Sequence, residues 1–121
     1  MMLIFGHHLI KTESFALFTD KIHKNKINFI KNYDESLIKL LQKSGEKWAI
    51  CVRQKDELFL ANALKANFIL LSDENLASFA SKAAEFYLFD SKILLILNEL
   101  KELEKAFALG VDGVILKDFL G

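Results

Sequence analysis

Three short segments of this chain are apolar at nearly every position, and helix-like stretches separate them. They read "WAICV" from Trp48, "FILL" from Phe68 and "ILLIL" from Ile93. Because side chains alternate between two faces in a strand, a strand that is apolar on both faces has to be buried on both. Such strands are typical of parallel sheets, and the intervening stretches are long enough to be helical crossovers. The pattern therefore predicts an α/β protein.

Helix signals stand in the stretches between these strands. Asp34 is a suitable N-cap for "ESLIKLLQKS", and Gly45 is a suitable stop after it. A long apolar stripe begins after Ser72 or Asp73, one of which is expected to cap that helix. Near the C-terminus, "ELKELEKAFALG" is predicted to be a helix that is capped by Asn98, stops at Gly110 and turns four side chains inward, namely Leu100, Leu103, Ala106 and Phe107.

The arrangement of strands and helices predicts a single domain over residues 1–121. We expect three layers, with a mainly parallel open sheet of five or six strands and helices on both faces. "MMLIF", "KINFI" and "VDGVIL" are further strands, whereas "SFALFT" fits either a strand or a helix. The first thirty residues are expected to add an edge strand or a hairpin. A half-barrel of (βα) units predicts nearly the same pattern, and that alternative stays open.

Charge and cysteine content narrow the classes of partner. Sixteen basic and sixteen acidic residues cancel, so nucleic acid and anionic membranes are not expected partners. No apolar run approaches the ~20 residues that a membrane span needs. The lone Cys51 cannot form an internal disulfide, and the N-terminus lacks the features of a signal peptide, so we expect a cytoplasmic protein. No metal or cofactor is expected.

The residues that leave the strands are the candidates for ligand binding, since the carboxyl ends of parallel strands share one edge. Seven positions are candidates: His7, His8, Arg53, Ser72, Asp73, Asn98 and Lys117.

Each of these candidates also has a structural interpretation. Adjacent histidines on an extended segment point in opposite directions, which disfavours a shared metal site. Arg53 fits a phosphate or carboxylate, or an ion pair with Asp56 or Glu57. Cys51 is expected to be a core residue, and Lys117 a solvated residue at the end of a strand or a functional lysine.

The last fifty residues, "FILLSDENL" to "ALGVDGVILKD", resemble the second half of a response-regulator receiver domain. The resemblance implies a receiver-like, flavodoxin-like sheet with Lys117 at the position of the family's lysine. Ser72 stands where the family has its phosphorylated aspartate, and Asn98 where it has a hydroxyl residue. His7 and His8, or the late pair Asp34 and Glu35, stand for the acidic residues that would hold Mg²⁺. The resemblance therefore implies a degenerate receiver that has lost phosphotransfer.

Aromatic residues suggest a partner surface. Eleven phenylalanines exceed what one core of this size easily hides, and "EFYLF" is apolar around most of a helical turn. Phe86, Tyr87 and Phe89 are therefore interface candidates, although an N-terminal hairpin that covers the helix would explain them equally well. Balanced charge does not oppose self-association, and a homodimer is expected.

Two functions follow from these observations. The first is a non-catalytic regulatory or protein-interaction module. The alternative is a small enzyme or ligand-binding domain that recognises an anionic, phosphorylated metabolite at the strand ends through Lys117, Arg53 and His7.

Overall fold

Seven parallel strands form one continuous sheet in the computed structural model, which describes residues 1–121. In chain order they are β1 (Leu3–Phe5), β2 (Phe15–Leu17), β3 (Ile27–Ile30), β4 (Trp48–Cys51), β5 (Phe68–Leu71), β6 (Lys92–Leu97) and β7 (Gly113–Leu116). Across the sheet the order is β1-β7-β6-β5-β4-β3-β2, and every pairing is parallel. From β2 to β7 the strands thus follow the chain without a reversal.

Four of the five helices pack on one face of this sheet, and only a single turn packs on the other. The helices are α1 (Glu35–Ser44), α2 (Lys55–Ala63), α3 (Glu74–Tyr87), α4 (Leu103–Leu109) and the single turn α5 (Lys117–Leu120). The sheet is curled and so has an outer and an inner face. The buried side chains of α1 to α4 belong to the larger core cluster, on the outer face, whereas α5 packs on the smaller cluster, on the inner face. None of these helices combines the length and apolar character that crossing a bilayer requires.

The predicted fold class is confirmed: the protein is α/β, with an open, curled and wholly parallel sheet, consistent with flavodoxin-like folds. The sheet has seven strands instead of the predicted five or six, because residues 1–30 supply a strand at each edge. Those two strands do not form a hairpin, since β1 pairs with β7 and β2 with β3.

The sheet is curled, and its inner face has a core of its own. The rings of Phe5 in β1 and Phe15 in β2 lie 5.3 Å apart between centroids, although no backbone pairing joins these two edge strands. The inner cluster also buries Phe29 and packs Phe68 and Phe119 against it. Only two of the eleven phenylalanines, Phe86 and Phe107, are exposed, so two separate cores hide what one core would not.

Two connections of the sheet contain no helix, the one from β1 to β2 and the one from β2 to β3. Between β2 and β3 the chain makes a loop, and the fully buried side chain of Asn28 holds it in place. The Asn28 amide accepts from the backbone N–H of His23 at 2.9 Å and donates to the carbonyl oxygens of His23 and Lys26 at 3.0 and 3.1 Å. These bonds satisfy loop backbone that a helix would have satisfied internally.

Most of the predicted helix ends are confirmed. The Asp34 carboxylate caps α1, and Gly45 and Gly110 end α1 and α4 in left-handed conformations. Two predictions about α4 are wrong. The helix begins after Glu102, so Asn98 does not cap it, and Phe107 is 81% exposed. The later start leaves α4 only seven residues, with Ala106 as its one fully buried side chain.

The stretch "GVDGVIL" positions β7 so that β1 can pair with it. Gly110 ends α4 with a φ of 78°, and the Asp112 carboxylate accepts the Ile93 backbone N–H at 2.7 Å, which fixes β7 against β6. A Cβ on Gly113 would overlap the backbone oxygen and the Cβ of Leu3 in β1. Glycine at 113 therefore permits the close approach of β1 that completes the sheet.

We expect Gly113→Ala to lower the free energy of unfolding by about 2–3 kcal/mol, because β1 must shift away from β7 to admit the methyl group. The matched control is Gly45→Ala, where φ is 78° but nothing lies within 4 Å of the added Cβ. That change should cost only about 1 kcal/mol of left-handed strain. Urea unfolding measures both, and equal losses would contradict the proposed clash.

Candidate functional site

All strands end at the same edge of the sheet, but the predicted ligand-binding residues do not converge there. Arg53 and Asp73 border an open cleft of about 530 Å³ at the beginnings of α2 and α3. Ser72 and Asn98 border a separate cleft of about 510 Å³ after β5 and β6.

Arg53 is engaged in holding a neighbouring loop. Its guanidinium donates to the carbonyl oxygen of Lys31 at 2.8 Å and to the side-chain oxygen of Asn32. Its backbone N–H donates to the Glu57 carboxylate at 3.0 Å, and its side chain forms no ion pair with Asp56 or Glu57. Arg53 therefore ties the loop after β3 to the end of β4.

The Ser72–Asp73 pair starts α3. The Asp73 carboxylate accepts the Leu76 backbone N–H at 2.8 Å and is the N-cap of the helix, which decides between the two predicted caps. Ser72 and Asn98 are exposed beside three carboxylates of the same cleft, those of Glu74, Glu99 and Glu102. Lys101 pairs with Glu99, and Lys105 pairs with both Glu74 and Glu102, so the cations beside this cleft are already held by carboxylates.

His7 and His8 lie beyond β1, and their rings stack with centroids 4.7 Å apart. The prediction that they point in opposite directions is wrong, because the chain has left the strand and turns here instead of staying extended. The Nδ1 of His7 accepts the Leu9 backbone N–H at 3.1 Å. No three His, Cys, Asp or Glu side chains of the protein are grouped so that they could hold a metal ion.

Lys117 is the first residue of α5, exposed and without an ion pair or side-chain hydrogen bond. From there the chain turns across the end of the inner core, where the Phe119 ring lies 6.4 Å from Phe5 and 6.2 Å from Phe15. Sequence reasoning missed α5 because a single turn has no periodicity. The apolar pair Phe119 and Leu120 was the available signal.

Cys51 contributes to the inner core, as predicted, and packs partly buried against its cluster. Burial raises the pKa of the Cys51 thiol, and the nearby charges of Arg53 and Lys31 oppose that rise only in part. The thiol is therefore held in its protonated, unreactive form.

The second candidate region is the C-terminal end of α3, which we call the α3 surface: Phe86, Tyr87 and Leu88. These three consecutive side chains are 79%, 64% and 83% exposed, and the Phe86 and Tyr87 rings contact each other at 4.8 Å. Phe89, the third interface candidate, turns inward and packs its ring 6.1 Å from Phe59. It supports the surface from below and is not part of it.

Leu88 has an unusual backbone for its residue type. It ends α3 with φ 53° and ψ 57°, a left-handed conformation in which glycine is the usual residue. Its N–H and that of Phe89 both bond to the carbonyl oxygen of Ala84. An exposed leucine in a left-handed cap costs about 1 kcal/mol, and the fold gains almost no burial from it.

Comparison with known proteins found no relative: no model of a protein family matches this sequence, and neither does any curated protein.

We expect Cys51 in the native protein to react with iodoacetamide at least ~100-fold more slowly than in urea, because the thiol is buried and its thiolate disfavoured. The unfolded thiol ionises first as pH rises, so the absolute difference between the two rates should be widest between about pH 8.5 and the raised pKa of the native thiol, a range in which stability also declines. Mass spectrometry measures the labelling, with Cys51→Ala as the unlabelled control. Equal rates in the two states would contradict the placement of the thiol.

Replacing Leu88 by glycine should raise the free energy of unfolding by about 0.5 kcal/mol, because glycine adopts the left-handed cap without strain. Leu88→Ala keeps the Cβ, and with it the strain, so it is the matched control and should bring no gain. Thermal and urea unfolding compare the two variants. A glycine variant no more stable than the alanine variant would show that the leucine is not strained.

Proposed function

We propose that this protein is a non-catalytic interaction module and that it works through the α3 surface. The observation that carries the proposal is the run of Phe86, Tyr87 and Leu88, which are exposed together at the end of the longest helix. Folded monomers seldom leave large apolar side chains side by side in water, and such patches mark partner surfaces. The strained Leu88 adds weight, since conformational strain concentrates at functional positions.

The strand ends support the same proposal by what their side chains do. Arg53 holds a loop and Asp73 caps a helix, and Ser72 and Asn98 face a cleft whose carboxylates are paired with Lys101 and Lys105. The C-terminal turn α5 covers the inner core, where a ligand would otherwise enter the curled sheet. The candidate residues are thus spread over separate places, and Arg53 and Asp73 are in structural use.

The resemblance to a receiver domain agrees with a regulatory role. The segment that carries it comprises β5, α3, β6, α4 and β7, which lie as consecutive neighbours. Ser72, Asn98 and Lys117 directly follow those three strands. A receiver relative without a phosphoacceptor aspartate would act by binding a partner.

A second candidate function is recognition of a phosphorylated metabolite, which one observation favours. Arg53 and Lys55 border the same cleft at the beginning of α2, whose N-cap residue Gln54 makes no side-chain capping bond. In that function the two cations would bind phosphate oxygens. Asp56 and Asp73 line the same cleft and reduce its attraction for anions.

A thermal-shift titration distinguishes the two functions. We expect the melting temperature to stay unchanged with inorganic phosphate, nucleoside mono- and triphosphates and sugar phosphates, each with and without Mg²⁺. A ligand at one hundred times its dissociation constant would add about 2.7 kcal/mol, or roughly 10 °C for a domain of this size. Such a shift, if abolished in Arg53→Ala or Lys117→Ala, would overturn the interaction proposal in favour of the metabolite site.

A further inference from the structure

The outward face of α3 carries opposite charges beside the α3 surface. Lys82 and Glu85 are three residues apart, and Phe86 is one turn beyond Lys82, so the three side chains share one side of the helix. Lys82 and Glu85 are exposed, and neither forms an ion pair or a side-chain hydrogen bond within the chain. The face thus presents one free cation, one free anion and an adjoining apolar surface.

We infer that a second copy of this chain covers the α3 surface, with the two α3 helices antiparallel about a two-fold axis and Lys82 of each copy opposite Glu85 of the other. This inference rests on the proposed function and names its partner. A two-fold interface must be self-complementary, so that residue i meets j and j meets i. Lys82 and Glu85 meet that requirement, because each can pair with the opposite charge on a second copy of the same helix face.

The geometry of antiparallel helices also brings the apolar side chains together. When residues 82 and 85 of the two copies face each other, the two Phe86 positions are on the same flank, roughly 7–8 Å apart along the axis. At that separation two phenylalanine rings can contact each other. Tyr87 is about 140° around the helix from Lys82 and packs its ring 6.0 Å from Phe59, so it lies at the edge of this contact.

The exposed area and the net charge suit a second copy. Phe86 and Leu88 with these exposures present about 300 Å² of apolar surface, roughly a third of what each partner buries in a standard interface. The exposed side chains of Lys82 and Glu85 add to that area on the same face. With equal numbers of acidic and basic residues, the two copies carry no net charge that would repel them.

Sedimentation and light scattering test the inference on the full chain. The expected mass is twice the monomer's 13.8 kDa, falling to the monomer in Phe86→Asp. Phe107→Asp is the matched control, because Phe107 is just as exposed but lies elsewhere. Lys105 of α4 pairs with Glu74 at the beginning of α3, and Gly110 lies against Ser81. Phe107 lies between these two contacts, so it is more than two helical turns of α3 away from Phe86. The control should remain dimeric.

Charge reversal tests the two-fold pairing itself. Lys82→Glu and Glu85→Lys should each weaken dimerisation roughly tenfold by setting like charges opposite each other, and the double variant should restore it. Loss in the single variants without recovery in the double variant would overturn the pairing. A wild-type monomer at every concentration, or a Phe86→Asp dimer, would overturn the second copy as partner. The interaction proposal is tested separately, because only a ligand-induced thermal shift overturns it.

Discussion

The curl of the parallel sheet is the constraint on which the rest of the structure depends. Four crossover helices pack on the outer face, and none of them reaches the inner face. The inner face must therefore be filled by side chains of the strands themselves. Phenylalanine rings from β1, β2, β3 and β5 do this, and Phe119 of α5 closes the group. Gly113 is also needed for the curled sheet, because only a residue without a side chain lets β1 approach closely enough to complete it.

The filling of the inner face by phenylalanine rings limits where a function can be located. A curled parallel sheet with an unfilled end would offer a ligand pocket surrounded by the strand termini, but here α5 packs across the inner core. Two of the polar groups at the strand ends have structural roles instead, since Arg53 holds a loop and Asp73 caps a helix. What remains free is the outer helical layer, in which the end of α3 is the most exposed apolar part.

Local features of the fold could be predicted from the sequence. Asp34, Gly45 and Gly110 act through bonds and torsions within a few residues, and the apolar runs at Trp48, Phe68 and Ile93 require burial on both faces wherever they pair. The strand order could not be predicted, because any order of parallel strands satisfies the same pattern. The separation of the phenylalanines into two cores follows from the curl, which no single segment encodes. Asn28 was missed because a buried amide is recognisable only from the loop that it holds.

The candidate site was predictable in composition but not in geometry. Residues after parallel strands share an edge, but their side chains converge only if the loops direct them inward, and Arg53 and Asp73 are drawn to their own loops instead. At the end of α3 the sequence signal was stronger, because no core position accounts for Phe86 or Leu88. Folding alone would favour a polar residue at 86 and glycine at 88, since the present side chains gain almost no burial and one of them is strained. A surface that costs stability in the isolated chain, and lies beside unpaired opposite charges, supports the proposal that the protein acts through contacts with a partner.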